Sequence, residues 1–175
     1  ACSRNNIRKF VGIGSCFEYD LSKEDKLDVN SPLKPETPYA LAKVKTYEDL
    51  TKIFREKNIR FSWARLFYLY GKGEDERRLF PLIRKKLKNK ENVQLTEGSE
   101  IRDYLDIGEA GRIISTLALS DKTGPFNVCS GEGVSIKEIA QNIAKEYDAL
   151  ELLEFGSYKT KNPEPKHIVG HKTEV

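Results

Sequence analysis

One stretch decides the predicted fold of this chain: Thr37-Pro38-Tyr39-Ala40-Leu41-Ala42-Lys43. Thr37 carries a hydroxyl suited to a helix N-cap, and Pro38 suits the first helical position because no N–H is needed there. The apolar residues that follow recur at steps of three and four, as on a helix with one buried face: Leu41, Val44, Tyr47, Leu50, Ile53 and Phe54. We therefore predict a helix over residues 38–57, closed by Asn58 in the left-handed region.

Tyr39 and Lys43 lie four residues apart, so they share one face of this helix near its N-terminus. A lysine ammonium beside a phenol favours the phenolate, which makes a tyrosine able to give or take a proton near neutral pH. Taken alone, the pair is better explained as an aromatic residue at a helix start and a solvated charge. A chemical role therefore needs support from the rest of the chain.

A hydroxyl stands upstream, at the end of a predicted strand. Residues 7–13 are apolar enough for a buried strand, and Gly14-Ser15-Cys16 follows it. An open α/β sheet binds ligands beyond the carboxyl ends of its strands, so Ser15 is predicted to lie where the chemistry takes place. Gly12-Ile13-Gly14 is the nearest match to a phosphate-binding glycine turn, but its third glycine is missing and no helix start follows it. We expect no phosphate there.

The rest of the chain alternates further strands and helices. A strand over 59–70 is apolar and aromatic enough to be buried on both faces, and Arg65 within it is expected to pair inside the protein. Ser135 and Glu138 have the spacing of a capping box, which predicts a helix from there to about residue 148. The other predicted elements are helices over 79–89 and 108–120 and short strands over 92–96, 104–107, 126–129 and 152–155.

Composition indicates a globular protein of 175 residues, of which 38% are hydrophobic and 33% charged. The net charge of +3, from 30 basic and 27 acidic residues, is too balanced to indicate nucleic-acid binding. The basic run Arg84-Lys85-Lys86 is expected on the solvent face of a helix. No apolar run reaches membrane-spanning length and no signal-peptide pattern opens the sequence, so we expect neither a membrane nor a nucleic-acid partner.

The cysteines and histidines do not predict a metal site. Cys2, Cys16 and Cys129 match no metal or disulfide spacing, which suits a reducing cytoplasm. His167 and His171 are four residues apart but have no third ligand beside them. We therefore predict a cytoplasmic protein without a bound metal.

Five segments, in this order, resemble the extended short-chain dehydrogenase/reductases, and within them the NAD(P)-dependent nucleotide-sugar epimerase, dehydratase and ketoreductase branch. The resemblance covers about residues 7–170. Its segments are Gly14-Ser15-Cys16-Phe17-Glu18-Tyr19-Asp20, Pro35-Glu36-Thr37-Pro38-Tyr39, Arg65-Leu66-Phe67-Tyr68-Leu69-Tyr70-Gly71, Glu100-Ile101-Arg102-Asp103-Tyr104-Leu105-Asp106-Ile107, and Phe126-Asn127-Val128 followed by Gly131 and Ser135-Ile136-Lys137-Glu138.

The resemblance implies an α/β fold that is part of a doubly wound Rossmann-like parallel sheet, with a small α+β substrate-binding region. Residues 1–72 would form the catalytic half of the Rossmann-like domain. Residues 73–175 would form mostly the substrate-binding region, with the 100–130 stretch returning to the main domain.

Catalytic roles also follow from the resemblance. Tyr39 would exchange a proton with a sugar hydroxyl or keto oxygen, and Ser15 would hydrogen-bond the same oxygen. Lys43 would hold the nicotinamide ribose and bias Tyr39 towards phenolate, which makes Tyr39 and Lys43 the cofactor-binding pair. The cofactor, NAD or NADP, would carry the hydride.

Substrate contacts are expected from Cys16, Tyr68 and Arg102, the last through a guanidinium fork that suits a diphosphate and is oriented by Asp103. Tyr68 stands where many relatives have asparagine. Cys16 and Phe17 stand where the dehydratases carry an Asp-Glu pair that eliminates water, so 4,6-dehydration is disfavoured. A nucleotide-linked sugar is the expected substrate, and 4-keto reduction is favoured over the alternative, 4-epimerisation.

The sequence contains no glycine-rich turn of the kind with which this family binds its dinucleotide. The chain thus resembles the C-terminal portion of such an enzyme, and both of its ends are expected to be cut. Alone it is expected to be inactive, and a non-enzymatic orphan fragment or binding module stays open as an alternative. Relatives often pair through the tyrosine helix, so a homodimer through that helix is the expected assembly.

Overall fold

The computed structural model describes residues 7–22, 26–160 and 165–175. Its strands are β1 (Lys9–Ser15), β2 (Arg60–Leu66), β3 (Tyr68–Tyr70), β4 (Val93–Gln94), β5 (Ile101–Arg102), β6 (Tyr104–Asp106), β7 (Gly124–Val128), β8 (Val134–Ser135), β9 (Leu153–Glu154) and β10 (His167–Ile168). Its helices are α1 (Pro38–Glu56), α2 (Leu79–Lys88), α3 (Ile107–Leu119) and α4 (Ile136–Glu146). The predicted α/β class is therefore confirmed. Cys2 lies outside the described residues.

The tyrosine helix α1 begins where it was predicted and ends one residue earlier. Thr37 Oγ1 accepts a hydrogen bond from Ala40 N at 3.1 Å, and Pro38 is the first helical residue. Asn58 has a φ of +50°, in the left-handed region, just beyond the helix. Local capping signals therefore place Tyr39 in the first turn of α1, on the side where the chain enters the helix.

Within the described ranges, the main sheet has three parallel strands in the order β1-β2-β7, with β2 at the centre. Alternate residues of β2 face opposite sides, as a strand requires. Phe61 and Trp63 pack with Phe54 of α1, whereas Ala64 packs with Leu117 of α3. The sheet is therefore covered by a helix on each face, which confirms that β2 is buried on both sides.

The predicted strand over 59–70 is wrong in one respect, because the chain leaves the main sheet at Phe67. Phe67 N donates to Val128 O at 3.2 Å, and the next amide, Tyr68 N, donates to Asp103 O at 3.1 Å. β3 then pairs in parallel with β6 as a separate ladder. β2 therefore ends at Leu66, and the chain continues from the carboxyl edge of the main sheet into a second ladder.

A second group of elements has a core of its own. Helices α2 and α4 share a core through Ile83, Leu87, Ile139 and Ile143. Two ladders, β4 with β9 and β10-β5-β8, accompany them. Strands β5 and β10 were not predicted, and β8 was predicted only as the start of a helix. The division into a catalytic half and a substrate-binding region remains a prediction.

Candidate functional site

A cavity of about 550 Å³ opens at the carboxyl ends of β1 and β2. Its walls come from residues 13–17, residues 66–75, Tyr39, Arg78 and Ile107. Ligand pockets for drug-sized molecules typically span about 300–1,000 Å³. The cavity therefore has the size of a ligand site and lies where an open α/β sheet places one.

Ser15 lies at the last position of β1 and caps a single 3-10 turn, Cys16–Glu18. Its Oγ accepts a hydrogen bond from Phe17 N at 3.3 Å, and its own N–H donates to Glu18 Oε1 at 2.8 Å. The residue is largely buried, yet it lines the cavity. Its hydroxyl is thus held by the local backbone at a strand end, as the sequence predicted.

Tyr39 lines the same cavity, with 56% of its surface exposed. Lys43 Nζ lies 5.7 Å from the centroid of the Tyr39 ring and donates a hydrogen bond to Ile13 O at 2.8 Å. That bond ties the first turns of α1 to β1. The structure therefore brings Ser15 and Tyr39 to one cavity, with an ammonium beside the phenol; their catalytic and cofactor-binding roles remain predictions.

A buried carboxylate behind the cavity was not singled out from the sequence. Glu18 is 0% exposed, and its Oε2 accepts a hydrogen bond from Arg65 Nε at 2.8 Å. Trp63 Nε1 donates to both of its oxygens, at 3.0 and 3.1 Å. The prediction that Arg65 pairs inside the protein is confirmed. The sequence did contain a signal for such a partner. Trp63 and Arg65 are two residues apart on a buried strand, so their side chains lie on the same face of the sheet and need a polar partner there.

The two glycines of β1 make room for this cluster. A Cβ on Gly12 would come within 3.0 Å of the Trp63 ring, and one on Gly14 within 3.0 Å of both Trp63 Nε1 and Glu18 Oε1. Neither glycine needs a left-handed backbone. The Gly12-Ile13-Gly14 run therefore accommodates an indole and a carboxylate, which agrees with the expectation that it does not cradle a phosphate.

Of the three predicted substrate contacts, two line the cavity. Tyr68 is half-buried in its wall, edge-on to the Phe17 ring. Cys16 also lines the cavity but is only 2% exposed. Burial raises the pKa of its thiol to about 12, and a hydrogen bond with Ser15 lowers that pKa by a smaller amount. A thiol with so high a pKa keeps its proton at physiological pH, so Cys16 does not supply a base there. Whether either residue touches substrate remains a prediction.

Arg102, the third predicted contact, lies outside the cavity lining. It is 3% exposed, and its Nη1 donates to Ile101 O at 2.9 Å and to Lys166 O at 3.4 Å. Its guanidinium carbon lies 5.5 Å from the centroid of the Tyr68 ring. Tyr68, which Arg102 approaches, lines the cavity, whereas Arg102 itself does not. The role of Arg102 as an anchor for a diphosphate remains a prediction.

Asp103, which was expected to orient Arg102, holds three backbone segments together. Its Oδ1 accepts from Ser130 N at 2.6 Å, and its Oδ2 accepts from Gly131 N at 2.9 Å and from Gly170 N at 3.2 Å. The side chain is completely buried. These bonds join the end of β5 to the turn after β7 and to the segment after β10.

The described residues contain no cluster of three or more side chains that could hold a metal ion. Within the same ranges, no helix is both long and apolar enough to cross a bilayer.

Comparison with known proteins identifies the family. The model of the NAD dependent epimerase/dehydratase family matches residues 1–129. Among curated proteins, the chain is 30% identical over 129 residues to a dTDP-6-deoxy-L-talose 4-dehydrogenase (NAD(+)) of Aggregatibacter actinomycetemcomitans, a match that covers 70% of this chain and 46% of the relative. It is 27% identical over 124 residues to a putative UDP-glucose 4-epimerase of Methanocaldococcus jannaschii, covering 69% and 40%. The chain thus spans about half the length of the curated relatives it matches.

Solved structures share the fold. A UDP-N-acetylglucosamine 4-epimerase from Methanobrevibacter ruminantium, in complex with UDP-N-acetylmuramic acid, superposes with a TM-score of 0.88 at 22% identity, over 98% of this chain and 56% of that one. A UDP-glucose 4-epimerase from Thermus thermophilus in complex with NAD gives 0.84 at 17% identity, over 98% and 58%. These matches confirm the predicted Rossmann-like architecture. Since the family model covers most of the chain, the chain belongs to the NAD dependent epimerase/dehydratase family.

Proposed function

We propose that this chain is the proton-transfer half of an NAD(P)-dependent enzyme that reduces the 4-keto group of a nucleotide-linked sugar. The observation that carries the proposal is the shared cavity of Ser15 and Tyr39 at the carboxyl edge of the sheet. The Lys43 ammonium beside the Tyr39 ring supports it. The 4-dehydrogenase relative acts, by its name, at the same sugar carbon.

The chemistry follows from these side chains. Tyr39 gives its phenolic proton to the keto oxygen, and the positive charge of Lys43 stabilises the phenolate that forms. Ser15, whose Oγ is oriented by Phe17 N, donates a hydrogen bond to the same oxygen. When bound, the nicotinamide cofactor supplies the hydride.

The described residues fit the reacting end of the cofactor but not its diphosphate. Tyr39 and Lys43 lie in and beside a cavity wide enough for a nicotinamide ring and a sugar. Anions bind at helix N-termini that follow glycine-rich turns, whereas Gly12 and Gly14 face Trp63. We therefore propose that the diphosphate is bound by sequence beyond this chain and that the 175-residue chain alone is inactive.

Epimerisation at the same carbon is the second candidate, because the fold superposes on two 4-epimerases. Dehydration has no support from the side chains, since Cys16 is a buried thiol and Phe17 a phenyl ring, and neither supplies a carboxyl group. A non-enzymatic binding module, the third candidate, would use the same hydroxyls of Ser15 and Tyr39 to hold a ligand without turnover. Reduction and epimerisation differ in what happens to the cofactor.

Cofactor stoichiometry in the complete enzyme, in which this chain is joined to its cofactor-binding half, separates the candidates. A ketoreductase consumes one NAD(P)H for each sugar reduced, whereas an epimerase recycles its cofactor without net change. We expect net consumption with a nucleotide-linked 4-keto sugar. A 4-keto-6-deoxy product from a plain nucleotide-hexose, found by mass spectrometry, would contradict both candidates.

For the assembly, we propose a homodimer through α1. Leu41 and Ile53 are exposed apolar residues of this helix. Light scattering of the complete enzyme should give twice the monomer mass, and Leu41→Glu should lower it. A monomer at all concentrations would contradict the proposal.

A further inference from the structure

The carboxylate of Glu18 is surrounded by donors. Ser15 N and Trp63 Nε1 donate to Oε1, at 2.8 and 3.0 Å, and Arg65 Nε and Trp63 Nε1 donate to Oε2, at 2.8 and 3.1 Å. No water reaches the group, because Glu18 is 0% exposed and Arg65 2%. A neutral amide of the same shape cannot satisfy this site, since one of its two ends would point a donor at other donors.

The site is shaped for this group by its neighbours. Gly14 carries no Cβ in the space that the carboxylate and the indole fill. Arg65 is held in turn by Tyr19, to whose hydroxyl its Nη1 donates at 3.0 Å, and the Tyr19 hydroxyl donates to Asn127 Oδ1 at 2.6 Å. The network thus connects the turn after β1 to β2 and β7.

Stability alone does not account for this arrangement. Replacing a buried ion pair with apolar residues of similar volume is often neutral or stabilising, because two charges must be taken out of water. What an ion pair adds is a fixed geometry. Of the four bonds that Glu18 accepts, the one from the Ser15 N–H reaches a residue that lines the cavity.

We propose that Glu18 is a positioning residue for the reaction: its carboxylate, locked by Arg65 and Trp63, fixes the backbone of Ser15 and so aims the Ser15 hydroxyl into the cavity. The inference rests on the role of Ser15 given under the proposed function. Glu18 touches neither substrate nor cofactor, and its effect on the rate passes through Ser15.

The test is a double-mutant cycle between Glu18 and Ser15 in the complete enzyme. Glu18→Gln should lower kcat roughly ten- to hundredfold while KM changes less than about twofold, as expected when a transition-state contact is misplaced. In a Ser15→Ala background the same substitution should lower kcat no further, because the group it positions is gone.

Tyr19→Phe is the matched control. It removes hydrogen bonds to Arg65 and Asn127 from the same buried network and leaves the Ser15–Glu18 bond in place. We expect it to lower the melting temperature while kcat stays within about twofold of wild type. A structural role for the whole network would instead make both variants lose stability and rate together.

The outcomes separate the two proposals. If Ser15→Ala leaves kcat unchanged, the proposed function is wrong. If Ser15→Ala slows the reaction but Glu18→Gln does not, or slows it independently of Ser15, the positioning role is wrong. If Glu18→Gln does not fold, Trp63→Phe takes its place, because it removes one donor from the same carboxylate and keeps the Arg65 pair. A loss of rate in Trp63→Phe that disappears in the Ser15→Ala background supports the inference. A loss that adds to that of Ser15→Ala, or no loss, overturns it.

Discussion

Replacing Gly14 by alanine tests whether the glycines of β1 make room for the Trp63–Glu18 cluster. The backbone at Gly14 is not left-handed, so alanine costs nothing in φ. Its methyl group would lie within 3.0 Å of both Trp63 Nε1 and Glu18 Oε1. Neither atom can withdraw freely, because the two are hydrogen-bonded to each other and Glu18 is also bonded to Arg65.

The expected cost has two parts. Overpacking a core with one methyl group costs about 1–3 kcal/mol, and weakening one charge-assisted hydrogen bond costs about 1.5–3 kcal/mol more. We therefore expect Gly14→Ala to lower the free energy of unfolding by roughly 2.5–6 kcal/mol. At about 2–4 °C per kcal/mol for a chain of this size, the melting temperature should fall by roughly 5–24 °C.

Urea unfolding of the 175-residue chain, followed by the fluorescence of its single tryptophan, measures this cost. Gly111→Ala is the control: its added methyl group meets no other atom within 4 Å, in the middle of α3. A glycine-to-alanine change there should stabilise the chain by about 0.5–1 kcal/mol. A loss below about 0.5 kcal/mol for Gly14→Ala would refute the packing role, and would leave a ligand-binding reason for the glycine.

Three further results are expected. Burial raises the pKa of the Cys16 thiol from 9.0 to about 12, so the thiol loses its proton at lower pH in the unfolded chain than in the folded one. The free energy of unfolding should therefore fall as pH rises from about 9, by up to about 1.4 kcal/mol per pH unit for this thiol. In urea titrations Cys16→Ala should flatten that slope. Arg102→Ala should raise KM for the nucleotide sugar roughly ten- to hundredfold with a smaller fall in kcat; an unchanged KM with lower thermal stability would assign Arg102 to the fold alone. Calorimetric titration of the 175-residue chain with NADH and NADPH should show no saturable binding tighter than roughly 100 μM, and tighter binding would reveal a cofactor site not identified in this chain.

Local signals were sufficient for α1. The cap at Thr37, the proline after it and the spacing of apolar residues are all written within a few positions of each other. The helix therefore formed as predicted, and Tyr39 and Lys43 lie where the spacing places them. A local pattern also placed Ser15 at the end of β1, because the apolar run over residues 7–13 is followed directly by Gly14 and Ser15.

Features made by distant parts of the chain could not be predicted in the same way. β5 has two residues and exists because Ile101 N donates to Lys166 O at 2.8 Å, far along the sequence. The break at Phe67 depends on the carbonyls of Val128 and Asp103, which accept hydrogen bonds from the amides of Phe67 and Tyr68, respectively. A residue pattern cannot show which carbonyl will meet a given amide.

The cluster of Glu18, Trp63 and Arg65 was not predicted, for a related reason. Trp63 and Arg65 share one face of a buried strand, which indicated that a polar partner lies there but not which residue it is. That partner comes from the turn after a neighbouring strand, and it fits only because Gly14 is small. Non-local pairing, together with the packing it allows, therefore determines how Glu18 is held beside Ser15.

Single-turnover kinetics of Tyr39→Phe in the complete enzyme test most directly whether Tyr39 transfers the proton. The substitution removes only the phenolic oxygen, so cofactor affinity should stay within about twofold while the rate of nicotinamide oxidation falls roughly 10²–10⁴-fold. Tyr47→Phe, on the same helix but outside the cavity lining, should react at the wild-type rate. A Tyr39→Phe enzyme that keeps more than about a tenth of the wild-type rate would contradict the assignment of Tyr39 as the proton donor.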